Sequence, residues 1–124
     1  KTDQAGLRDK ICFAGKQDDV CSYLCAMDVF LFPSLFEGVP FALIEAQANG
    51  LPCVMADSVS EEAVVFPERV SRLSLNESDQ VWAENILKMS EIKREEPEVL
   101  KKKLKEAHFD ITTEANRLRD LYKE

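Results

Sequence analysis

Hydrophobic positions fall into two patterns along the chain. Lys10-Ile11-Cys12-Phe13-Ala14-Gly15 is a short apolar, aromatic-bearing run closed by glycine, and Asp28-Val29-Phe30-Leu31-Phe32-Pro33-Ser34 is a second. Both predict strands buried on two faces. Between them Val20, Tyr23, Leu24 and Met27 recur at helical spacing behind Asp18 and Asp19, either of which suits a helix N-cap. The pattern then repeats, with Val39-Pro40 opening a helix to about Asn49, Gly50 ending it, and Leu51-Pro52-Cys53-Val54-Met55-Ala56 supplying a third strand. Ser58 or Ser60 is placed to cap a short helix through Glu62 and Val64, and Val70-Ser71-Arg72-Leu73-Ser74-Leu75 alternates like a less buried fourth strand. The alternation predicts an α/β fold: a Rossmann-like open parallel sheet of about four strands with flanking helices.

Beyond residue 76 the period becomes purely helical. Val81/Trp82, Ile86 and Met89 form one stripe, Leu100, Leu104 and Ala107 a second, and Ile111, Ala115, Leu118 and Tyr122 a third. Pro97 suits the first turn of the middle helix, and Asp110 caps the last. Trp82 reads as core filling, His108 as a linker residue after a helix, and Lys93-Arg94-Glu95-Glu96 as an exposed joint with solvated charges. The 124 residues are expected to form a single domain, 1–124, with the α/β part over 1–76 and the C-terminal helices over 77–124.

Composition narrows the partners. With 45% apolar and 31% charged residues the chain has the makeup of a folded globule, not of a disordered or collagen-like one. Sixteen basic against 23 acidic residues leave a net charge of −7, which argues against nucleic acid. No apolar run approaches the about 20 residues of a membrane helix, and Lys1-Thr2-Asp3-Gln4 begins no signal pattern. The first residue is not Met, so the chain reads as a piece of a longer protein. Cys12, Cys21, Cys25 and Cys53 lack a C-x-x-C spacing and His108 is remote from them, so no metal site is expected. Cys21 and Cys25 lie one helical turn apart. Four reduced, mostly buried thiols fit a cytosolic protein.

In an open parallel sheet, ligands gather beyond the carboxyl ends of the strands. That singles out Gly15-Lys16-Gln17-Asp18, the segment from Pro33 to Pro40, and Ala56-Asp57-Ser58. The middle segment is the most informative, because Gly38 permits close approach and Pro40 starts a helix without spending a donor. Free amides and the helix dipole there favour a phosphate. Neither G-x-x-x-x-G-K-[ST] nor G-x-G-x-x-G occurs, so a P-loop NTPase or a dinucleotide oxidoreductase is unsupported. Instead Glu37 stands at the rim and Glu45 in an otherwise apolar or small-residue helix. Carboxylates accept hydrogen bonds from sugar hydroxyls. Glu45 lies about 7.5 Å along the helix from Pro40, comparable to the span from a diphosphate to its ribose. Taken singly, Glu37 also reads as a solvated loop residue and Glu45 as a charge on an exposed strip. Two other classes stay open on the residues alone: a receiver-like signalling module phosphorylated on Asp57, and a purely structural interaction domain.

The stretch from Ala26 through Ala46, with Phe13-Ala14-Gly15 before it and Gly50-Leu51-Pro52 after it, closely resembles the donor-binding half of group 1 (family 4) glycosyltransferases. Those are retaining enzymes of the two-domain GT-B fold. Their E-x7-E signature, here Glu37 to Glu45, sits in the pattern P-S-x-x-E-G-x-P-x-x-x-x-E-A, which residues 33–46 match in full. The resemblance implies that Glu37 contacts donor-sugar hydroxyls as the catalytic-site residue and that Glu45 holds the ribose. It implies backbone contacts to sugar and diphosphate from Gly38, Val39, Phe41 and Ala42, and places Gly15 and Lys16 near the base. It further implies a nucleotide diphosphate sugar as donor, a glycan or lipid-linked acceptor, no metal or other cofactor, and a cytoplasmic parent, peripheral to the inner face of the membrane, in envelope glycan synthesis. Relatives commonly carry glycines between the third and fourth strands, where this chain has none. The family's basic residues for the diphosphate and its acceptor domain lie upstream of this segment, so the chain alone is expected to be inactive.

Overall fold

The computed structural model describes residues 4–123, so most of the Lys1-Thr2-Asp3-Gln4 stretch and Glu124 lie outside it. Asp19 begins the first helix: its carboxylate accepts the Ser22 amide at 3.0 Å, and α1 (Val20–Cys25) follows. The next apolar run forms β1 (Phe30–Phe32). Pro40, with φ fixed near the value a helix start needs, leads into α2 (Phe41–Ala48). Gly50 then takes a φ of +77° and turns the chain into β2 (Cys53–Ala56). A side chain at Gly50 would suffer the left-handed backbone and bring its Cβ to 3.0 Å from Leu100 Cδ1.

Two 3-10 turns, Glu61–Ala63 and Pro67–Arg69, lead to β3 (Val70–Leu73). The turn at Glu61 is capped by Ser60, whose Oγ accepts the Glu62 amide. The remaining chain forms α3 (Asp79–Ser90), α4 (Pro97–Glu106) and α5 (Ile111–Leu121). Ser78 and Asp110 cap the first and last of these, and Pro97 occupies the first turn of α4. No helix among the described residues is long and apolar enough to cross a membrane.

The sheet is parallel throughout, in the order β1-β2-β3, with Phe30 opposite Cys53 and Cys53 opposite Val70. β2 is central, and all four of its residues are buried. Leu24, Leu43, Ala46, Leu51, Val59 and Ala63 close over it, with Phe30, Phe32 and Trp82 packed against them. Trp82 fills the core edge while its Nε1 donates to Ser74 O at 3.2 Å.

The expected α/β class, parallel sheet and helical C-terminus are all present, with three strands among the described residues. The segment 10–15 is the one that does not join. It follows a 3-10 turn at Arg8–Lys10, and Phe13 is 82% exposed. A strand exists only where a neighbour takes its N–H and C=O groups, and the described chain brings none beside this run. β1 is likewise not buried on both faces: it pairs only with β2, and Leu31 is exposed. Three of the four cysteines, Cys12, Cys21 and Cys25, are exposed, correcting the expectation of mostly buried thiols. Cys12 belongs to the unpaired segment, and α1 buries only Leu24.

The joint at 93–96 is more than a solvated turn. Arg94 donates to the carbonyls of Leu24, Cys25 and Met27 at the C-terminal end of α1 and to Asn49 O just past α2, the last at 2.8 Å. Glu95 pairs with Arg69 and Lys103. One guanidinium thus ties together the carbonyl-bearing C-terminal ends of two helices.

Candidate functional site

β1 and β2 run parallel, so the loops that follow them leave the same edge of the sheet. These loops, 33–40 and 57–60, are tied together. Glu37 forms a parallel bridge with Val59, and Ser58 Oγ donates to Ser34 O at 2.8 Å. Ser34 Oγ in turn donates to Glu37 Oε1 at 3.4 Å, which restrains the carboxylate. From β3, Arg72 reaches across to the second loop, donating to Asp57 O at 2.9 Å and Val59 O at 3.1 Å and pairing with Glu61. The Glu37 carboxylate therefore stands on a chain of contacts that ends in the sheet.

Behind Glu37 the backbone is open. A Cβ placed on Gly38 would meet nothing within 4 Å, and Leu35, Phe36 and Phe41 are each about four-fifths exposed. The Leu43 and Ile44 amides bond back to Pro40 O, while those of Phe41 and Ala42 precede the helix's own bonding. With the dipole of α2 behind them, they make this edge attractive to an anion. Val39 is also exposed there.

Glu45 is exposed on the second turn of α2. It lines a hollow of about 300 Å³ with Val20, Cys21, Leu24, Ala48 and Asn49, so the structure brings Glu45 against the start of α1. Glu37 does not line that hollow. The two carboxylates flank the α2 start without sharing one enclosed cavity in the described chain. Gly15 adopts φ +66° and Lys16 is exposed; both lie in the loop ahead of α1, with no hydrogen bond to the α2 start among the described residues. Asp57 follows β2, and no cluster of three or more metal-ligating side chains forms among the described residues. Burial pushes the Cys53 thiol up to about 12, which leaves it a packing residue.

Sequence reasoning missed Arg72, whose guanidinium secures the second loop, and Gln47, which fixes α2 itself. Gln47 is fully buried and makes four hydrogen bonds: Nε2 donates to Leu43 O and Ala63 O, and Oε1 accepts from the Val65 and Phe66 amides. The signal was available in each case. A glutamine among Leu43, Ile44 and Ala46, or an arginine within an alternating strand, is a polar group that has to find partners.

The family of glycosyl transferases, group 1, matches residues 1–91. The chain is 36% identical over 119 residues, 96% of its length, to a Bacillus subtilis protein named as glycosyltransferase EpsF, of which it covers 31%. It is 39% identical over 62 residues to the Escherichia coli UDP-Gal:alpha-D-GlcNAc-diphosphoundecaprenol alpha-1,3-galactosyltransferase, covering 50% of this chain and 16% of that one. It is 37% identical over 81 residues to the Salmonella typhi Vi polysaccharide biosynthesis protein VipC/TviE, covering 65% of this chain and 14% of that one. The chain thus spans less than a third of the length of these relatives. No solved structure matches. The match over residues 1–91 takes in both tied loops, the open start of α2 and its two flanking carboxylates, and the chain belongs to the group 1 glycosyltransferases.

Proposed function

We propose that this chain is the donor-binding part of a retaining GT-B glycosyltransferase and that a nucleotide diphosphate sugar lies across the start of α2. The observation that carries this is the exposed helix start with unbonded amides between two exposed carboxylates, at the carboxyl edge of a parallel sheet. The diphosphate meets the amides of Gly38, Val39, Phe41 and Ala42. Glu45 accepts hydrogen bonds from the ribose, and Glu37, restrained by Ser34, accepts them from the transferred sugar. Gly15 and Lys16 border the base. As the bond from the anomeric carbon to the diphosphate breaks, charge grows on the departing oxygen and the helix amides stabilise part of it. With a net charge of −7, the chain needs further positive charge from elsewhere in the full-length protein, without a metal or other cofactor.

The named relatives support the wider setting. One is named for a UDP-sugar donor and an acceptor on diphosphoundecaprenol, another for polysaccharide synthesis. On that basis the full-length protein transfers a hexose to a glycan or lipid-linked acceptor held outside this chain, in the cytoplasm at the inner face of the membrane, and the chain alone transfers nothing. Titration of the chain with UDP-, GDP- and ADP-sugars, followed by amide NMR, is expected to move the signals of Gly38, Val39, Phe41 and Ala42 for one of them. In the full-length protein, Glu37→Gln should lower turnover by about 100-fold with little change in nucleotide affinity, the pattern of an interaction made in the transition state. Glu45→Ala should weaken donor binding by about tenfold, near the value of one hydrogen bond to a charged group. Equal effects of both substitutions, confined to nucleotide affinity, would overturn the division of roles.

A further inference from the structure

Cys21 and Cys25 stand one turn apart on α1, both exposed, and Asn49 at the end of α2 lies against them. Asn49 Nδ2 is 3.4 Å from Cys21 Sγ and 3.6 Å from Cys25 Sγ. A single nitrogen within reach of both sulfurs means that the thiols converge instead of splaying. Asn49 is itself held, because Arg94 donates to both its side-chain and its main-chain oxygen. The arrangement is therefore anchored from a second helix and from the 93–96 joint, not left to the six residues of α1.

Spacing decides what such a pair can bind. Helical positions four apart keep their Cβ atoms about 5–6 Å from each other, whereas a disulfide needs about 3.5–4.5 Å. A direct S–S bond would unwind α1, but a bridge one atom longer fits. We propose that Cys21 and Cys25 form a two-thiol binding site for trivalent arsenic compounds. An arsenoxide R–As=O takes both sulfurs: two As–S bonds form, both S–H bonds and the arsenic–oxygen bond break, and the oxygen leaves as water with the two thiol protons. Arsenic stays trivalent and nothing is oxidised. The close approach of the Cys25 thiol raises the Cys21 pKa, in keeping with two thiols held side by side. Cys12 is exposed but shares no hydrogen-bond partner with another thiol among the described residues, and Cys53 is buried. The site does not depend on the function proposed above, although Cys21 lines the same hollow as Glu45.

The test uses phenylarsine oxide on the intact chain, with native mass spectrometry and peptide mapping after alkylation of the remaining thiols. One adduct is expected, protecting Cys21 and Cys25 together while Cys12 is alkylated, stable to excess monothiol and reversed by a dithiol. Cys21→Ser and Cys25→Ser should each weaken binding by about 100-fold, as when a two-point attachment becomes single, and Cys12→Ser should leave it unchanged. An adduct that maps to Cys12, that monothiol removes, or that survives Cys21→Ser would overturn the proposal. The mapping on the unsubstituted chain decides the matter even if a variant fails to fold.

Discussion

Ile11-Cys12-Phe13-Ala14 and Cys53-Val54-Met55-Ala56 are nearly interchangeable as sequences, and they end in opposite environments. The second is β2, buried at every position between two parallel neighbours. The first is exposed and in no sheet. Apolar character makes a segment suited to a strand, but the neighbours that take its hydrogen bonds make it one. β1 lies between the two cases, paired on one side and exposed at Leu31.

The sharpest way to break this contrast is a matched pair of truncations. Met55→Ala should destabilise the chain by about 2–5 kcal/mol, because it opens a cavity at a fully buried site. Phe13→Ala, ordinarily a severe change, should stay within about 0.5 kcal/mol. Urea midpoints at unchanged slope measure both, and a comparable loss at Phe13 would show that the first segment packs after all. Next in size, Gln47→Ala leaves the half-buried amide of Val65 and the buried amide of Phe66 unbonded and should cost about 2–3 kcal/mol. Gly50→Ala should cost about 1–2 kcal/mol, since Ala disfavours φ +77° and meets the Leu100 side chain.

The smallest effect belongs to the ion pair at the foot of α4. A hydrogen bond from Lys103 Nζ holds the Glu68 carboxyl below its ordinary value of 4.5. Its contribution is therefore present above pH 4.5 and disappears as the pH falls through the lower folded value. Thermal midpoints measured down the acid limb should fall less steeply for Glu68→Gln than for the unsubstituted chain, by a small margin because the pair is half exposed.

Much of this was legible in the residues. Pro40, Gly50, Asp19, Pro97 and Asp110 mark helix boundaries through backbone rules that act locally, and each does so in the structure. The run from Pro33 to Ala46 singled out the start of α2, and residues there are exposed in the structure. What the residues did not disclose depends on partners far away in sequence. The fate of 10–15 turns on strand pairing, the exposure of Cys21 and Cys25 on how α1 faces the sheet, and the roles of Gln47, Arg72 and Arg94 on loops 13 to 70 residues distant. The separation of Glu37 from the hollow beside Glu45 belongs to the same class, because a helix fixes spacing along its axis but not what packs against each side.

The clasp made by Arg94 carries a consequence for the order of events in folding. It joins position 94 to Asn49 and to Leu24, 45 and 70 residues earlier, and so closes longer loops than the other side-chain hydrogen bonds named above. Such loops are entropically expensive until the intervening strands have paired. The clasp is therefore expected to form after the sheet has drawn α1 and α2 together, so that its removal should quicken unfolding while leaving the refolding rate almost untouched.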